Sequence, residues 1–136
     1  MAGELNLEAL LRDMRPEMQE SVFVFCTVEA DKEMPTAVKP LLAFREQEGM
    51  TLVVRLEEAE NLGLRYQFVS RLITLTVHSS LEAVGFLAAI TTRLSEAGIS
   101  VNAVSAFHHD HLFVPRHRAD EALSLLQAMS SAVRSS

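Results

Sequence analysis

The chain has no tryptophan, one tyrosine and one cysteine among 136 residues, and only four prolines and five glycines. A single cysteine, Cys26, closes no disulfide within the chain, and its place in the apolar run Val22 to Val28 suits a buried, inert thiol. No apolar run approaches the roughly 18 residues needed to cross a bilayer, and the N-terminus mixes Glu4, Glu8 and Asp13 among leucines where a secretory signal would be basic and then apolar. We therefore expect a cytoplasmic protein with no membrane partner. Positive charge is also scarce: 12 Lys and Arg against 18 Asp and Glu give a net charge of -6. The nearest basic cluster, Arg116-His117-Arg118, runs straight into Asp120 and Glu121, so no nucleic-acid partner is expected.

What is present is the composition of a globular domain, 49% hydrophobic and 22% charged. Leu7, Leu10, Leu11 and Met14 recur at helical spacing after Asn6, predicting a helix over 5–14 that Pro16 ends. Strands are expected at 22–28, 41–45, 50–55, 72–77, 99–107 and 111–114, with helices at 57–62, 80–97 and 116–133. Ser79-Ser80-Leu81-Glu82 fits a capping box and places the start of the long helix there, with Gly98 as its stop.

The chain also repeats itself. Residues 41–45 and 51–54 match 101–105 and 111–114 at an offset of 60, while 23–28 match 73–78 at an offset of 50. The first copy thus lacks about ten residues where the second carries its long helix, and the N-terminal helix could fill that vacancy. The expected fold class is α+β, with two halves (1–68 and 69–136) derived from a ferredoxin-like βαββαβ unit, an antiparallel sheet and helices on one face.

Glu82-Ala-Val-Gly-Phe-Leu87 followed by Leu94-Ser-Glu-Ala-Gly-Ile99 resembles the Asp-x-Pro-Gly-x-Leu opening and Leu-x-x-x-Gly-Ile close of the first helix of ACT domains. Val24-Phe-Cys-Thr-Val28, the stretches 44–52 and 75–85, and Phe107-His-His-Asp-His-Leu-Phe-Val-Pro115 are similar to bacterial tandem-ACT proteins. A weaker similarity extends to the ACT modules of aspartate kinases and of cytosolic arginine sensors. Val84 stands where the wider family often has proline, and Ser100 where many amino-acid-binding members have asparagine.

The resemblance implies a regulatory module that binds an amino acid at an interface between ACT-like units, uses no cofactor and forms a homodimer. It assigns ligand contacts to Ser79, Ser80, Glu82, Val84, Gly85, Ser100, His108 and Asp110. A helix N-terminus near Ser80 to Gly85 would suit an α-carboxylate, and Asp110 an ammonium group. Each also has a plainer role: Ser79 and Glu82 as caps, Gly85 in helix packing, Asp110 in a turn. Two further readings are a protein-interaction module that has lost its ligand and a metal site at His108 to His111. Alternation along an extended chain sends His109 and His111 to one face and His108 and Asp110 to the other, which works against metal convergence. No phosphate loop, zinc-type cysteine pattern or serine elbow is present, so no enzymatic activity is expected.

Overall fold

The computed structural model describes residues 3–135. In chain order the elements are α1 (Leu7–Asp13), β1 (Arg15–Glu29), β2 (Leu42–Arg45), β3 (Gly49–Arg55), α2 (Leu56–Asn61), β4 (Tyr66–Thr76), α3 (Phe86–Glu96), β5 (Asn102–Ser105), β6 (Asp110–Pro115), a 3-10 turn (Arg116–Arg118) and α4 (Ala119–Ser135). Strand order is β2-β3-β1-β4-β6-β5. By compactness the chain forms two units, one comprising the residues through Glu20 together with Arg71 onward, the other Ser21–Ser70. The long strands β1 and β4 contribute a stretch to each.

The larger unit buries Ile73, Leu75, Leu112 and Val114 from its strands beneath Leu10 and Met14 of the N-terminal segment, Phe86, Ile90 and Leu94 of α3, and Ala119, Ala122 and Leu126 of α4. α1 is only seven residues long, too short to persist alone. Asn6 caps it by accepting from the Ala9 N–H, and α4 finishes its other end. There Ser130 Oγ donates to the carbonyls of Arg12 (2.9 Å) and Met14 (3.3 Å), and Arg134 Nη1 donates to the Arg12 carbonyl at 3.1 Å. Carbonyls left over at a helix end are thereby satisfied. The N-terminal helix accordingly packs with α3 and α4 and does not fill the vacancy in the first repeat.

In the smaller unit Val24, Cys26 and Val28 of β1 pack with Leu52 and Val54 of β3, Val38 of the connecting segment and Ala59 of α2. Burial pushes the Cys26 thiol pKa up. The shared ancestry of the two hairpins is written in their register. Leu42 opposes Val53 and Arg45 opposes Met50, while Asn102 opposes Phe113 and Ser105 opposes Asp110, so partners differ by 60 at both positions. Ala59 and Ala119, again 60 apart, are both buried where the following helix begins.

The offset of 50 between the first strands needs correction. Side chains alternate along a strand, so equivalent core positions must be related without a change of face. Val24 and Cys26 face one core and Ile73 and Leu75 the other, which requires an odd offset; 49 aligns Val24, Cys26 and Val28 with Ile73, Leu75 and Val77.

β1 and β4 both extend beyond their apolar runs. The helix ends before Pro16, as expected, and Pro16 sits in the second position of β1, where its fixed φ is compatible with extended backbone. Polar residues carry the pairing onward: Gln19 Nε2 donates to Thr74 Oγ1 (3.2 Å), and Ser70 Oγ donates to the Phe23 carbonyl (2.9 Å). These contacts advance along one strand as they retreat along the other, as antiparallel neighbours do. In β4, Tyr66 and Val69 both pack against the same core although an odd spacing should send them to opposite faces. An extra residue resolves this: Phe68 has φ 59°, the left-handed region, and makes a bulge. Phe68→Gly is therefore expected to be at least as stable as Phe68→Ala in urea unfolding, reversing the usual preference of about 0.5–1 kcal/mol for Ala over Gly in strands.

Candidate functional site

The loop between β4 and α3 and the turn between β5 and β6 meet at a buried carboxylate. Asp110, 6% exposed, accepts from Ser79 Oγ at 3.1 Å through Oδ2 and from Ser105 Oγ at 2.5 Å through Oδ1. Among the described residues it makes no salt bridge. A buried carboxylate needs such donors, or a cation, to satisfy its oxygens.

The loop is extended for a reason that lies elsewhere in the chain. Glu4 pairs with it as a short parallel bridge to Ser79: its N–H donates to the His78 carbonyl at 2.8 Å, and its carbonyl accepts from Ser80 N–H at 3.0 Å. Gly3 lies so close that a Cβ there would come within 2.6 Å of the Ser79 carbonyl carbon. Backbone occupied in this way cannot enter a helix. The long helix consequently starts at Phe86 instead of Ser80, with Gly85 at its N-cap, φ 91°, and no side-chain cap. The proposed capping box does not form, although Ser80 Oγ accepts from Glu82 N–H at 3.1 Å within a local turn.

Of the residues singled out above, Ser79 and Asp110 are in direct contact. His108 lies near the loop, its ring centroid 5.9 Å from that of His78. Ser80, Glu82, Val84 and Gly85 share the loop, and Val84 is 86% exposed, the most open large apolar side chain among the described residues. Ser100 is not brought to this place. It follows the far end of α3, in a groove of about 610 Å3 lined with Thr91, Thr92, Ser95 and Glu96. Sequence reasoning missed Ser105, whose signal was available: it is the residue that closes the hairpin opposite Asp110.

Among the described residues no group of three or more His, Cys, Asp or Glu side chains is placed to hold an ion. His109 Nδ1 bonds the Val77 carbonyl at 3.2 Å, and His111 Nδ1 lies 3.0 Å from Thr74 Oγ1. Because Gln19 already donates to that hydroxyl, Thr74 can donate its own proton to a neutral His111 ring. Burial first, and then neighbouring His109, lower the His111 pKa from its ordinary value, opposed by Asp110. The unfolded chain therefore takes up this proton first as pH falls below about 6.5, and stability contributed by the neutral ring is lost in that window. The fall in Tm between about pH 7.5 and about pH 5.5 is expected to be smaller in His111→Gln than in the unmodified protein.

Comparison with known proteins follows the repeat. The family described as the ACT domain matches residues 2–71 and again residues 67–128. A Vibrio cholerae protein of unknown function, a possible transport protein, is 44% identical with a TM-score of 0.82, covering 91% of this chain and 95% of its own. An Agrobacterium tumefaciens protein shares the fold at 16% identity and TM-score 0.74, covering 86% and 89%. The regulatory subunit of aspartate kinase from Thermus flavus does so at 10% identity and TM-score 0.60, covering 95% and 99%. No curated protein matches significantly. No described helix is long and apolar enough to cross a membrane.

Proposed function

The chain belongs to the ACT-domain family, two copies in tandem, and from that premise we propose that it is a non-catalytic regulatory module that binds a free amino acid at the second repeat. ACT domains in general are amino-acid-binding regulatory modules. The observation that carries the assignment to this place is Asp110, a buried carboxylate that makes no salt bridge among the described residues, beside a loop that leads into an uncapped helix N-terminus. The carboxylate suits an α-ammonium, and the first-turn N–H groups of α3 suit an α-carboxylate. The repeat boundary we adopt falls after residue 68, and the cytoplasm is the setting we propose.

The place of Ser100 favours a dimer. Ser100 and Gly85 flank opposite ends of an eleven-residue helix, which is about 16 Å long, so one amino acid cannot touch both within a single copy. A homodimer in which a second copy brings its Ser100 to this loop satisfies both, and gives exposed Leu81 and Val84 something to pack against. β5, an edge strand, has unpaired backbone groups available to such a partner.

A second reading has its own support: both Asp110 oxygens already hold serine hydroxyls, which suits an interaction module that has lost its ligand. Titration calorimetry against each proteinogenic amino acid separates the two. A saturable heat that disappears in Asp110→Asn supports binding at this site. No heat at millimolar concentration, with one protein partner recovered stoichiometrically, supports the second.

A further inference from the structure

The smaller unit contains a groove that the amino-acid site does not use. Its volume is about 580 Å3 and it is lined by Phe25, Cys26 and Thr27 of β1, Thr51 of β3, and Arg65, Tyr66 and Gln67 at the start of β4. That volume falls in the usual range for small-molecule pockets.

The groove adjoins the bulge at Phe68, which follows its lining residue Gln67. A bulky residue in the left-handed region is held there only where its surroundings over-determine it, and such residues concentrate at binding sites. The Phe68 ring is fixed edge-on to Phe25, centroids 5.8 Å apart at 71°. The bulge lets Tyr66 turn into the core, while Arg65 and Gln67 are left exposed at the rim.

The lining is chemically uneven. Arg65 is the only charged residue in it and makes no ion pair among the described residues. Thr27 lies on the strand beside it, directly opposite Thr51 in the β1–β3 register. Thr51 donates its hydroxyl to Glu46, so the far end of the groove is negative. Phe25 and the buried Cys26 supply apolar surface between.

We infer that this groove binds a small organic carboxylate, its anionic head on the Arg65 guanidinium with Thr27 and Gln67 as further donors, and its hydrocarbon body on Phe25. Guanidinium and carboxylate match in charge and geometry, and Glu46 repels the head from the opposite end, which fixes the direction of entry.

The chain supplies its own reporter, since Tyr66 is its one tyrosine and it has no tryptophan. Cyclohexanecarboxylate, which does not absorb where tyrosine is excited, is titrated while Tyr66 emission is followed, with cyclohexanecarboxamide as the uncharged isostere. A saturable change is expected with the acid in the millimolar range and not with the amide. Arg65→Gln weakens it by about tenfold or more, and Thr27→Val by a smaller factor. Both substitutions lie on exposed side chains, and circular dichroism verifies that the fold is kept. No saturable change, an equal response to the amide, or unaltered affinity in Arg65→Gln overturns the assignment. Tyr66, Arg65 and Thr27 all belong to the groove and none to the site at Asp110, so failure here is distinguishable from failure there.

Discussion

Leu10→Ala is expected to cost about 3–4 kcal/mol, the largest single-residue effect proposed for this protein. Leu10 is fully buried among residues of α3, α4 and the strands beneath them, and truncating such a side chain loses both its transfer energy and the packing around the cavity left behind. A second consequence is specific to this architecture. α1 holds its place through Leu10, Met14 and the bonds from Ser130 and Arg134, so loosening it uncovers the core of the larger unit. Hydrogen exchange in Leu10→Ala should accelerate first in α3, β6 and α4, before the β2–β3 hairpin responds. Had the helix filled the gap in the first repeat, the order would be reversed. Urea unfolding gives the energy, and amide exchange gives the location.

Asp110→Ala is expected to destabilise by about 2–3 kcal/mol, lowering Tm by roughly 5–15 °C. The substitution strands the buried Ser79 hydroxyl and releases the tie between the loop after β4 and the β5–β6 turn. Asp110→Asn keeps an acceptor for one serine and offers its amide to the other, so its cost should stay near or below about 1 kcal/mol. The pair of variants therefore separates structure from ligand recognition. Asn at 110 folds almost normally yet lacks the charge that an ammonium requires. A cost for Asn as large as that for Ala would mean that the charge itself holds the two segments together.

Much of this architecture was legible in the residues because it depends on local pattern. The leucine spacing after Asn6, the hairpin around Gly49 and the offset of 60 all reappear, the last down to the pairing of individual residues. What was not legible depends on distant partners. The strand was expected only from Val22, and pairing with β4 extends it back through polar residues 15–21. Ser79 to Glu82 read as a capping box because that pattern is local, whereas Glu4 and Gly3 claim the same backbone from far along the chain. The offset of 50 matched residue types but not faces, a distinction visible only once each core is known. In the candidate site the sequence brought Ser79 and Asp110 to attention separately, and their contact across 31 positions is a product of the fold. Ser100 was grouped with them by resemblance, and α3 holds it apart.

The central claim is that one amino acid touches the loop of one copy and Ser100 of another. The direct measurement is an amide chemical-shift titration with the amino acid that responds in calorimetry, run alongside sedimentation. Ser79 to Gly85 and Ser100 are expected to shift together, with a common midpoint, as dimer accumulates. Shifts at the loop with none at Ser100, in a protein that stays monomeric, would contradict it.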